Sequence, residues 1–128
     1  MEFFMEENGF STKTGFGDLQ ISGEDEHGFR PYQLMVSSLA VCSGVTLRKI
    51  MEKRRQPVKN IHMKAEVTRN EEGSREIQKI HIHFVVEAEG VTEAQMQKNL
   101  DWTHRNCSMV QSVKDSIEVT ETFAFKTL

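Results

Sequence analysis

The sequence predicts a mixed α and β fold in the order β-rich start, long helix, two strands, two helices and a closing strand. Three features carry that prediction. One is a helical run whose segment from Leu34 to Leu47 holds no charge. Another is a pair of strictly alternating segments on either side of a Gly-containing turn. The third is two capping-box patterns ahead of a final β-rich run. The 128 residues suit one domain over 1–128, with a β-hairpin region at 1–29 ahead of a core at 30–128.

Residues 1–29 are Gly-rich. Phe10, Phe16, Leu19 and Ile21 suggest short strands separated by Gly9, Gly15, Gly17 and Gly23. One or two such hairpins are barely stable alone, so this region is expected to pair with the main sheet or with a second chain. Pro31 suits the first turn of a helix, where its missing N–H is not needed. The helical pattern runs from Tyr32 to about Arg54, and Pro57 marks its end. Between Leu34 and Leu47 the helix is apolar or small on every side, which predicts burial all round. Lys53-Arg54-Arg55 reads as its solvated end, cations facing the negative pole of the dipole.

In the segment 60–69, Ile61, Met63, Ala65 and Val67 alternate with His62, Lys64, Glu66 and Thr68, the period of a half-buried strand. A turn at 71–74 leads to a returning strand at 79–87, with Ile80, Ile82, Phe84 and Val86 facing the core. Thr92-Glu-Ala-Gln95 fits a capping box opening a helix to about Arg105, with Ala94, Met96, Leu100 and Trp102 available for packing. Ser108-Met-Val-Gln111 is a second match, opening a short helix to about Asp115. Residues 117–125 close the chain as a strand.

The formal charge of −3 and the lack of any basic run beyond 53–55 argue against a nucleic-acid partner. The start, Met1-Glu-Phe-Phe-Met-Glu-Glu7, is acidic where a secretory signal is basic. The charge-free stretch 34–47 is too short to span a bilayer. A cytoplasmic protein without a membrane partner is expected. His62, His81 and His83 share the outer face of the hairpin; three imidazoles there suit zinc, but Lys64 on the same face favours a plain polar surface, so no metal is expected.

The chemistry-bearing residues are the two cysteines, Cys42 and Cys107. In a reducing compartment a bond between them would be catalytic or redox-sensing rather than a permanent staple. Cys107 stands just before a predicted helix, with His104 and Arg105 nearby, and is expected to be the more acidic thiol. Cys42, mid-helix among apolar neighbours, is expected to be raised in pKa and to need a group from elsewhere for activation.

The run Arg30-Pro-Tyr-Gln-Leu-Met-Val-Ser-Ser-Leu-Ala-Val-Cys-Ser43 resembles the signature of the OsmC/Ohr family, in which a Pro-x-x-Leu segment opens a long central helix carrying the first active cysteine. The hairpin with Ile80-His-Ile-His-Phe-Val-Val86, the amphipathic helix after it and a cysteine opening a short helix extend the likeness over roughly 30–125. The resemblance implies an α+β fold, a single OsmC-like domain, with antiparallel sheets wrapped around long central helices in an intertwined homodimer. It also implies a cysteine-based peroxidase acting on organic hydroperoxides. Cys42 would attack the peroxide oxygen and become a sulfenic acid, Cys107 would resolve it, and an external thiol donor would restore the dithiol, with no cofactor.

The chain departs from the family's pattern at the activating pair. Active members carry a glutamate ten positions before the first cysteine, which holds an arginine from the N-terminal hairpin against the thiolate. Here Tyr32 stands at that position with Gln33 beside it, and residues 1–29 contain no arginine. Arg30 and Arg105 are the nearest candidate cations. Weak peroxidase activity is therefore one expectation. The other is a non-enzymatic dimer of the same fold that binds a small apolar ligand in an interface pocket.

Overall fold

The computed structural model describes residues 1–126. Nine elements follow in chain order: β1 (Phe3–Glu6), β2 (Gly9–Lys13), β3 (Asp18–Ile21), α1 (Pro31–Lys53), β4 (Val58–Arg69), β5 (Ile77–Ala88), α2 (Glu93–Asn106), α3 (Ser108–Val113) and β6 (Glu118–Phe125). They fall into two compact units that divide within α1, Met1–Ser37 and a second beginning at Ser38.

The N-terminal unit holds an antiparallel sheet of its own, in the order β1-β2-β3. It is not hydrogen-bonded to the main sheet: its three strands pair only with one another. Phe16 lies outside the strands. It sits in a tight turn where Thr14 Oγ1 donates to the Gly17 carbonyl at 2.9 Å. The buried residues of this unit are hydroxyls: Thr12 donates to the Glu2 carbonyl at 2.7 Å and Ser22 to the Asn8 carbonyl at 2.6 Å.

In the second unit β5 is the central strand, antiparallel to β4 and parallel to β6. The expected all-antiparallel sheet is thus corrected to a mixed one. A parallel neighbour cannot be reached by a hairpin, and α2 with α3 supplies the crossover. Ile80, Ile82, Phe84 and Val86 on β5 are fully buried, and Leu39, Leu47, Met51, Met96, Leu100 and Val110 complete this core. Burying a side chain of this size contributes roughly 1.5–3 kcal/mol.

Helix α1 is buried on one side only. Leu39, Ser43, Leu47 and Met51 are inside, while Val41 is 54% and Val45 46% exposed. The expected all-round burial fails because one chain covers one face of the helix. By length and composition alone α1 could cross a bilayer, its most apolar window having a mean hydropathy of 1.4, but the buried residues above make it a core helix. Gly44 lets it lie close to β4: a Cβ there would come within 2.7 Å of Met63 Sδ.

The end of α1 is docked rather than solvated. Arg55 takes a left-handed conformation (φ 57°) and the Gln56 N–H closes back on the Met51 carbonyl at 2.9 Å. Arg54 donates to Asn99 Oδ1 at 2.6 Å and lies 4.6 Å above the Trp102 ring; Asn99 donates in turn to Gln56 Oε1 at 2.7 Å. The reading of 53–55 as a free basic end is therefore wrong for Arg54. Trp102 is 42% exposed with Arg54 over its face, and Ala94 is exposed, so the packing face of α2 is Met96, Asn99, Leu100 and Thr103.

The Thr92 capping box is present in full: Gln95 N–H donates to Thr92 Oγ1 at 3.1 Å and Thr92 N–H to Gln95 Oε1 at 2.9 Å. The second box is not. Cys107 itself is the cap of α3, and the Gln111 side chain donates instead to the His104 carbonyl at 2.9 Å.

Candidate active site

Cys42 lies on α1 and Cys107 at the joint between α2 and α3. Both are free thiols, Cys42 partly exposed and Cys107 fully buried. The fold of the second unit brings them into hydrogen-bond contact, with the Cys107 S–H donating to Cys42 Sγ. Two hydroxyls flank the pair. Ser43 Oγ, fully buried, donates to Cys107 Sγ at 3.6 Å, and Ser108 Oγ lies 3.8 Å from Cys42 Sγ.

The electrostatics reverse the order expected from the sequence. Burial pushes the Cys42 thiol up, but hydrogen bonds from Cys107, the Met109 backbone N–H and Ser108 outweigh it and hold Cys42 below the ordinary thiol value. Thr46 adds least, because its hydroxyl proton goes to the Cys42 carbonyl at 2.8 Å. Cys107 is pushed up, first by burial, then by giving its proton to the bond with Cys42, and by the charge on Cys42. The physical reason for the reversal is that Cys107 gives its own proton to Cys42 and is the more buried sulfur, so the Val110 N–H and Ser43 hydroxyl that donate to it do not offset its rise, whereas Cys42 only gains donors.

The supporting residues have partners on their own elements. Arg105 is exposed, and its Nε reaches back to the Asp101 carbonyl at 3.4 Å along its own helix. In the N-terminal unit Arg30 stacks on Tyr32, 4.9 Å from its ring centroid, and Gln33 Nε2 donates to the Tyr32 hydroxyl at 3.5 Å. The groups that lower Cys42 are all uncharged. Sequence reasoning missed Ser43, Ser108 and the Met109 N–H. The available signal was that each cysteine is followed directly by a serine.

Two of the outer-face histidines, His81 and His83, lie against threonines of β6. His81 Nδ1 and Nε2 lie 2.6 Å from Thr120 Oγ1 and 3.0 Å from Thr122 Oγ1, and His83 Nδ1 lies 2.7 Å from Thr122 Oγ1. Among the described residues no group of three or more His, Cys, Asp or Glu side chains is placed to hold a metal ion.

A partly exposed thiol backed by a buried second thiol, set between a long helix and a sheet crossover, defines a paired-thiol protein of α+β class. The chain belongs to the OsmC-like protein family, whose model matches residues 23–122. Protein YhfA of Escherichia coli (strain K12) is 23% identical over 94 residues, covering 73% of this chain and 70% of YhfA. A hypothetical protein from Aquifex aeolicus VF5 has a similar structure, with a TM-score of 0.84 and 28% identity over 98% of this chain and 93% of that one. The organic hydroperoxide resistance protein OhrB of Bacillus subtilis matches with a TM-score of 0.65 over 97% and 98% of the two chains; at 15% identity it shares the fold alone.

Proposed function

We propose that this chain is a thiol-dependent hydroperoxide reductase in which Cys42 is the attacking thiol and Cys107 the resolving one. The observation that carries the reading is the contact between a lowered, reachable Cys42 and a raised, buried Cys107. The thiolate is the nucleophile, so the lowered thiol attacks. Cys42 Sγ bonds to the hydroxyl-bearing oxygen of the hydroperoxide, the O–O bond breaks, and the alkoxide leaves and takes a proton from water. Cys42 is then a neutral sulfenic acid. Two of the influences that held the Cys107 proton, its bond to the thiolate and the charge itself, vanish at that moment. The Cys107 sulfur displaces the sulfenic oxygen as water, and the S–S bond forms. An external dithiol of the reducing cytoplasm returns both cysteines to thiols by exchange.

The working form is a homodimer. Support comes from apolar surface left open on one chain: Val41 and Val45 on α1, and Phe3, Met5 and Phe10, which the register of the first sheet places on one face. An obligate interface of more than about 2,000 Å² is expected. Sedimentation of a folded monomer at micromolar concentration counts decisively against it.

The test of the chemistry is one equivalent of cumene hydroperoxide followed by peptide mapping. A Cys42–Cys107 crosslink is expected, lost in Cys42→Ser, with sulfinic acid accumulating at Cys42 in Cys107→Ser. Two thiols left free after exposure sink the reading. The second reading, a dimer that binds a small apolar ligand, then gains. It is favoured by a groove of about 360 Å³ where Val41, Gly44 and Val45 of α1 face Ile61 and Met63 of β4.

A further inference from the structure

The two cysteines are each followed by a serine, and the two Cys-Ser pairs cross. Ser43, next to Cys42, reaches Cys107, while Ser108, next to Cys107, reaches Cys42. The hydroxyls and thiols form one connected set: Ser43 O–H to Cys107 Sγ, Cys107 S–H to Cys42 Sγ, and Ser108 Oγ to Cys42 Sγ. Ser43 is fully buried and cannot reach solvent; Ser108 is exposed, and Cys42 beside it is partly exposed.

Resting on the reading of Cys42 as the attacking thiol, we propose that Ser108 is a catalytic hydrogen-bond donor, holding the Cys42 thiolate with a neutral hydroxyl. The argument is one of geometry and charge. The groups that favour the thiolate here are uncharged, Arg105 is turned along its own helix, and a hydroxyl can rotate its proton toward whichever sulfur is charged. A donor to an anion makes a stronger bond than a donor to a neutral group, so Ser108 acts on the charged form of Cys42 in preference to the thiol. Ser43 has the matching task on the other sulfur. By donating to Cys107 it leaves the Cys107 proton free to point at Cys42.

The experiment is the rate and pH midpoint of Cys42 alkylation by iodoacetamide, followed by peptide mapping in the otherwise unaltered protein. Ser108→Ala is expected to slow alkylation near neutral pH by about three- to tenfold and to move the midpoint upward. Ser108→Thr, which keeps the hydroxyl, is expected to restore both. Unchanged alkylation in Ser108→Ala overturns the proposal, as does an equal loss in Ser108→Thr, which would trace the effect to shape rather than to the hydroxyl. Because alkylation needs no peroxide, it decides the role of Ser108 even where the parent protein leaves cumene hydroperoxide untouched.

Discussion

The two units of this chain use their side chains in opposite ways. In the unit beginning at Ser38, large apolar residues are inside: Phe84 on β5 is fully buried, as are Leu39, Leu47 and Met51 on α1. In Met1–Ser37 the residues inside are Thr12 and Ser22, while Phe3, Phe4, Phe10 and Phe29 are each more than half exposed. One sheet is held by an apolar core; the other is held by its ladder and by hydroxyl bonds to loop carbonyls. The difference teaches that regular strands do not by themselves mark a self-sufficient fold. A three-stranded sheet with its aromatic face in water has little apolar burial to offset the entropy of ordering it.

The largest expected effect that tests this contrast is Phe84→Ala, which should cost about 3–5 kcal/mol in chemical denaturation, while Phe10→Ala, compared at the same protein concentration, costs less. Equal costs would break the comparison. Next comes Asn99→Leu. It leaves Arg54 without its carbonyl partner and Gln56 without its donor, and about 2–4 kcal/mol of destabilisation is expected by the same measurement. Phe10→Ser sharpens the contrast from the other side. Its effect should fall on association, with dimer dissociation strengthened tenfold or more in sedimentation.

The smallest effect is that of Glu121→Gln. Glu121 Oε1 is buried with no hydrogen-bond partner, 3.6 Å from His104 Nδ1. Burial raises this carboxyl, and His104 offsets part of the rise. The unfolded chain therefore ionises first as pH climbs past 4.5, and the stability this group gives in acid is lost from there up through its raised folded value. Glutamine has no such loss. The variant's melting temperature should gain on that of the parent as pH rises from 4 toward 8, and parallel curves would remove Glu121 from the account.

The second unit was legible because its signals are local. The alternation of β4 and β5 matches the observed ladder, and Thr92 caps α2 as its box predicts. Non-local facts were not. Nothing in residues 117–125 tells a parallel from an antiparallel neighbour, so the place of β6 could not be read. That Val41 and Val45 are open depends on what lies beside α1, which periodicity does not encode. At the site the two cysteines were visible, but their acidity was read in reverse. A thiol's pKa follows from which donors surround it in space, and Ser108 and Met109 are distant from Cys42 in sequence.

The parallel pairing of β6 with β5 has a consequence for how the protein comes to be. The β4–β5 hairpin forms from neighbours in the chain, but β6 can dock only after residues 89–117 have crossed over, a long loop closure that slows folding. Cys107 rides on that crossing segment. During synthesis, Cys42 leaves the ribosome before Cys107, Ser108 and Met109, and the donors that lower its pKa reach it only when that segment arrives. The lowered acidity threshold of Cys42 is thus a property of the finished fold, and until the crossing segment docks this sulfur is an ordinary thiol.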